Sequence, residues 1–160
     1  MKINQNNDTL SAAEIKNTPA LAAAREMILQ ESVSCVIIRD NEIVYTGNGR
    51  GVKPLLHVYE SDPKLLQGAI LADKIIGKAA AMIAVLGGVR HVFAVTMSSS
   101  AREYLAQHGI SCSSEHEVDA IHNRTGDGLC PLEQSVLKIE EPEAGYLALK
   151  ATIRELMANR

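Results

Sequence analysis

Aromatic residues are scarce in this chain: its 160 residues include no Trp, one Phe and four Tyr, 3% in all. That leaves few flat side chains on which the bases of a single-stranded nucleic acid could stack. Tyr45, Tyr59, Phe93, Tyr104 and Tyr146 are the ones available. Cysteine is scarce too. Cys35, Cys112 and Cys130 are odd in number and unevenly spaced, which suits reduced thiols better than a disulfide framework. No apolar run reaches the roughly 18 uninterrupted residues that a membrane helix needs. The best candidate, Leu65 to Leu86, is broken by Asp73, Lys74 and Lys78. Met1 to Asp8 lacks the apolar centre of a secretory signal, so a cytoplasmic protein is expected. Excess positive charge is missing as well. A formal net charge of -3 argues against bulk electrostatic binding to nucleic acid or anionic lipid, and any anion site must be local.

What is present suits a single folded unit. With 46% hydrophobic and 22% charged residues, 160 residues can bury a sizeable core, and one domain over 11–160 is expected behind a flexible polar tail at 1–10. Thr18-Pro19 opens a helix carrying Leu21, Ala24, Met27 and Ile28. The runs Ser34–Arg39 and Glu42–Thr46 flank Asp40-Asn41, residue types favoured in a two-residue hairpin turn. After a glycine-rich loop at 47–53, a short helix starts at Pro54. A long one is predicted from about Pro63 to Leu86, stopped by Gly87-Gly88. Its apolar residues cover most of its circumference, which requires burial on more than one side.

His91 to Thr96 reads as a buried strand, and Ser98-Ser99-Ser100 as the cap of a helix that Gly109 closes. Ile110 to Ser113 reads as a further strand. The connection from strand through helix to strand implies parallel pairing. Residues 118–122 are expected to add an edge strand. Helices from Pro131 to about Lys138 and from Pro142 to about Met157 complete the chain, and the apolar face of the last one would suit association into a homo-oligomer.

Polar and potentially reactive residues crowd into the run Asn123-Arg124-Thr125-Gly126-Asp127-Gly128-Leu129-Cys130-Pro131-Leu132-Glu133. Pro131 suits the first position of a helix, with Cys130 as its N-cap. A thiol there would sit at the positive end of a helix dipole, with Arg124 nearby to lower its pKa. The competing reading is structural. Glu133 stands three residues after Cys130, the position from which a capping-box carboxylate reaches back to the N-cap amide.

Two further clusters carry charge. In Gly47-Asn48-Gly49-Arg50-Gly51-Val52-Lys53, glycines permit close backbone approach to an anion while Arg50 and Lys53 bring charge; an ordinary flexible connection would look the same. Lys74 and Lys78, four residues apart, would share one face of the long helix, with Asp73 beside them. Lysines on a mostly apolar helix must snorkel, find a partner or lose a proton. Ser98 and Ser99 would lie beyond the carboxyl end of a strand, where open sheets tend to bind ligands, although helix capping alone explains them.

The order of helix, hairpin, glycine-rich loop, alanine-rich helix, strand, helix and strand resembles the cytidine-deaminase-like fold. At residue level, Asp73-Lys74-Ile75-Ile76-Gly77-Lys78-Ala79-Ala80-Ala81 and the Asn123 to Glu133 run resemble the hallmark segments of a small prokaryotic family of unknown function grouped with that fold. The resemblance spans about residues 33–157. It implies an α/β, three-layer architecture, with a mixed sheet of hairpin plus parallel strands flanked by helices. Zinc deaminases need a His or Cys two residues before a Glu at one helix start and Pro-Cys-x-x-Cys at the next. The chain has the Ile75-Ile76-Gly77 neighbourhood and Ser98-Ser99-Ser100-Ala101-Arg102 instead, so neither zinc nor another cofactor is expected.

Two classes of function follow. In the first, Gly49, Arg50, Gly51, Lys53, Lys74, Ser98, Ser99, Asn123, Arg124 and Glu133 hold an anionic small molecule, most naturally a nucleotide or phosphorylated metabolite. In the second, the chain is a zinc-free enzyme using Cys130 as nucleophile or Asp73 and Lys78 as an acid/base pair. A purely structural or regulatory subunit is the third reading.

Overall fold

A computed structural model describes residues 10–159, so nearly all of the expected tail at 1–10 lies outside the described residues. Asp40 and Asn41 both adopt positive φ, 50° and 59°, which is the backbone of a tight hairpin turn matched to strand twist. They join β1 (Cys35–Arg39) to β2 (Glu42–Gly47) in antiparallel register. Along β1, Cys35 and Ile37 point into one core and Val36 and Ile38 into another, the two-residue alternation of a strand buried on both faces.

The segment 63–88 does not form the single long helix its composition predicts. A short 3-10 turn at Pro63–Leu65 is followed by β3 (Ile70–Ile76) and then by α4 (Lys78–Gly87). Gly68, at φ 69°, and Gly77 punctuate the run, and β3 takes the middle of the sheet between β1 and β4. A strand covered on both faces reads as continuously apolar, and that erased the alternation by which it could be told from a helix. Lys74 and Lys78 therefore share no helical face: Lys74 lies on β3, and Lys78 opens α4.

The remaining order follows expectation closely. Strand β4 (His91–Ser98) leads into α5 (Ser99–Gln107), which passes through Gly109 at φ 72° into β5 (Ser111–Val118). The sheet order is β2-β1-β3-β4-β5, with β1 antiparallel to both its neighbours and β3, β4 and β5 parallel. Residues 118–122 add no edge strand; His122 makes an isolated bridge to Leu129 instead. A short helix α1 (Ala12–Lys16), unanticipated from the sequence, precedes α2 (Pro19–Leu29). Both pack over one face with Phe93. On the other face lie α3 (Lys53–Ser61), α4 and α5, with α6 (Pro131–Val136) and α7 (Pro142–Ala158) packed against α4. The protein is thus an α/β fold built on a mixed five-stranded sheet flanked by helices. Among the described residues no helix is long and apolar enough to cross a membrane.

Candidate functional site

At the carboxyl end of β3 the glycine-rich loop folds back over the sheet. Ser34, buried just before β1, holds it there: the Gly49 N–H donates to Ser34 Oγ at 3.1 Å, and the Lys74 N–H donates to the Ser34 carbonyl at 3.0 Å. Gly51, at φ 56°, makes the bend. Between loop and strand lies a cavity of about 190 Å³ lined by Ser34, Gly49, Arg50, Gly51, Asp73, Lys74 and Ile75. Two clusters that are far apart in sequence thus meet in one place.

Asp73 is the unusual member. It is 5% exposed, yet it borders the cavity. Its Oδ1 accepts the Ile75 N–H at 3.3 Å, and it also interacts with the Lys74 N–H and with the thiol of Cys35, its partner in the β1–β3 register. Burial pushes its carboxyl up to about 7 against the downward pull of those three donors. Burial, with the adjoining Asp73, likewise drives the Cys35 thiol well above its ordinary range, so Cys35 stays protonated. Arg50 and Lys74 are exposed at the rim, and Lys74 stands 3.7 Å from Glu31. Lys53 opens α3, exposed and outside the cavity lining.

The Asn123 to Glu133 run is organised differently from its sequence reading. Asn123, Thr125 and Asp127 hydrogen-bond among themselves, closing a self-contained loop, and Arg124 is exposed on it. Cys130 occupies the N-cap position of α6, but its side chain makes no capping bond, and its N–H donates to the Ile121 carbonyl at 3.0 Å. Glu133 does not complete a capping box there. Its carboxylate caps a different helix, accepting the N–H groups of Lys78 at 2.9 Å and Ala79 at 3.2 Å at the start of α4. This contact satisfies amides that have no partner inside α4 and brings a negative charge to the positive end of its dipole. A Cβ on Gly77 would stand 2.2 Å from Glu133 Oε1, which is why that position has none.

Lys78 is drawn away from Asp73. Its Nζ donates to the Leu137 carbonyl at 3.1 Å, lies 3.5 Å from the Glu140 carboxylate and faces the Tyr104 ring at 5.8 Å. It borders a separate cavity of about 210 Å³ with Ser100, Glu103 and Gln107. Ser98 caps α5 by accepting the Ala101 N–H at 3.1 Å, and Ser99 Oγ donates to the Val118 carbonyl at 3.3 Å. A lysine at the start of α4 and serines at the start of α5 do not make a zinc site. Among the described residues no three His, Cys, Asp or Glu side chains gather where a metal ion could be held.

Residues 23–153, which include both hallmark segments and the cavity, match the family described as TM1506, a domain of unknown function (DUF1893). The chain belongs to the DUF1893 family. A crystal structure of a DUF1893 family protein from Thermotoga maritima superposes with a TM-score of 0.72 at 21% identity, covering 99% of this chain and 97% of the other. That likeness establishes the shared fold. A diaminohydroxyphosphoribosylaminopyrimidine deaminase/5-amino-6-(5-phosphoribosylamino)uracil reductase from the same organism matches over 65% of this chain and 34% of its own, at 16% identity and a TM-score of 0.41, too partial to transfer anything. No curated protein matches the chain. Within this DUF1893 domain, Ser34, Cys35 and Ile75 are the site residues that sequence reasoning passed over. Cys35 follows the strand alternation and reads as core. Only its register partner Asp73 gives it chemical interest.

Proposed function

We propose that this DUF1893 protein binds an anionic small molecule, a nucleotide or another phosphorylated metabolite, in a deaminase-type cleft whose working part is the cavity between Gly49-Arg50-Gly51 and Asp73-Lys74-Ile75. The observation that carries this reading is that Arg50, the glycine loop and the Lys74 segment line one cavity that also contains a buried carboxyl. Arg50 supplies a planar fork suited to a phosphoryl or carboxylate group, and the glycines let backbone approach the ligand. The position beyond the carboxyl end of a parallel strand is where open α/β sheets commonly bind ligands. Exposed Ile75, at the edge of the same cavity, offers apolar surface to the body of such a ligand.

The start of α4 does not serve as the anion site in this reading, because the Glu133 carboxylate already occupies two of its free amides, those of Lys78 and Ala79. A thermal-shift panel of nucleotides, sugar phosphates and nucleotide sugars tests the reading. A ligand at 100 times its dissociation constant stabilises by about 2.7 kcal/mol. Arg50→Gln, an exposed change that leaves the core alone, is expected to weaken such a ligand tenfold or more, as loss of a charge-assisted contact worth about 1.5–3 kcal/mol does. A panel without any response, or a responding ligand indifferent to Arg50→Gln, rejects it.

A further inference from the structure

An acid lining a cavity that a cation borders poses a chemical problem. An anion drawn in by Arg50 meets Asp73, whose ionised form would repel it in a poorly solvated setting. We propose that the ligand's leading oxygen binds together with a proton, carried on the Asp73 carboxyl and donated across the cavity, so that the site takes an oxyanion and a proton as a unit. This inference rests on the reading of the cavity as an anion site and adds to it the chemical role of Asp73.

The surroundings of Asp73 fit that role. From β1, the Cys35 thiol lies against it and keeps its own proton, so Cys35 cannot replace it as the titrating group. Tyr45 of β2 is within electrostatic reach of Cys35 and is itself raised, chiefly by burial. Across the β3–β4 register stands Ala94, which carries no charge. The loop contributes Arg50, and β3 contributes Lys74 with its partner Glu31 at the end of α2. The backbone N–H groups of Lys74 and Ile75 occupy part of the carboxyl's acceptor capacity. With burial holding Asp73 near 7, the proton is at hand at neutral pH, and an adjacent anion raises the group further by mutual linkage.

Inorganic sulfate is the discriminating probe, because it has no proton of its own to exchange between pH 6 and pH 8. Titration calorimetry on the full chain is expected to show affinity falling about tenfold from pH 6 to pH 8, the ratio of protonated Asp73 when its pKa is about 7. Repeating the titration at pH 8 in two buffers of different ionisation enthalpy should register uptake of close to one proton per anion bound. Asp73→Asn keeps the shape and a donor but has nothing to titrate, so it should bind sulfate equally at both pH values. If sulfate gives no heat, the same measurements are made with whichever phosphate ester responds in the thermal panel, and the difference between the parent and Asp73→Asn is read, because a phosphate monoester itself titrates at about pH 6. Binding that is independent of pH, without proton uptake, overturns the inference while leaving the anion site intact. Absence of binding by sulfate and every phosphate ester at both pH values rejects the site itself.

Discussion

Gly77 and Glu133, 56 residues apart in sequence, depend on each other. The carboxylate can reach the first amides of α4 only because nothing projects from the Gly77 Cα, where a Cβ would fall 2.2 Å from Glu133 Oε1 and 2.4 Å from its carboxyl carbon. Burial raises the Glu133 carboxyl while the Ala79 and Lys78 N–H groups lower it, so the contact sets solvation against hydrogen bonding. In the sequence, Cys130-Pro131-Leu132-Glu133 carries the spacing of a local capping box. That pattern records a carboxylate available to cap some helix and cannot say which one, because the true acceptor–donor pair spans two elements. Gly77→Ala should therefore destabilise the fold by about 1–3 kcal/mol, the usual cost of forcing atoms into a filled space. Glu133→Gln, which retains one acceptor oxygen, should cost less, within the roughly 0.5–2 kcal/mol of a lost cap. Urea midpoints measure both. Equal midpoints for Gly77→Ala and the parent would show that α4 does not need Glu133 so close.

Elements announced by local chemistry were legible, and those defined by their neighbours were not. The hairpin was readable from Asp40-Asn41 and α5 from its serine cap, since each signal lies within a few residues of what it shapes. Strand β3 was not. Its alanine and its Asp73-Lys74 pair resemble a helix surface, and only the covering of both faces by other elements explains why Ile70 to Ala72 are all buried. The candidate site shared that fate, because Asp73 meets Arg50 only when 70–76 is a strand beside β1. A second contact between elements sits at the hairpin tip. Asn41 Oδ1 accepts the Ala20 N–H at 3.1 Å and so caps α2, whose own N-cap Thr18 makes no side-chain cap. Turn preference alone favours Asn41→Gly, since glycine takes positive φ without strain. The capping role reverses the sign: Asn41→Gly should destabilise by about 1 kcal/mol, a typical cap. A gain in melting temperature for this variant would show that the turn outweighs the cap.

Taken as a whole, the molecule stores two opposing titrations on opposite faces of one sheet. Asp73 lies on the face shared by Cys35 and α4, while His91 stands on the face of Phe93, fully buried with Ser111 Oγ at 2.7 Å from Nδ1 and Ser113 Oγ at 3.1 Å from Nε2. Burial lowers His91 to about 4, helped by nearby Arg90 and Lys16, so it folds as the neutral ring. Between pH 4 and its ordinary value near 6.5, the unfolded chain binds a proton at His91 that the folded chain refuses, and stability rises with pH. Asp73 works the other way. From the ordinary carboxylate range up to about 7 the folded chain holds a proton that the unfolded one has released, so its contribution is complete in acid and is lost as pH climbs through 7. Each slope approaches about 1.4 kcal/mol per pH unit, and they nearly cancel over the shared window. The register separates the groups by three positions along paired strands, about 10 Å, far enough for their effects to add. Asp73→Asn is therefore expected to unmask His91, with stability climbing steadily from pH 4.5 to 6.5 and no decline toward 7.5. His91→Gln should expose the reverse slope, with stability falling across the same range. Urea denaturation of the parent and both variants at several pH values reads these slopes directly. Parallel profiles for all three proteins would show that neither buried group governs the pH response of the fold.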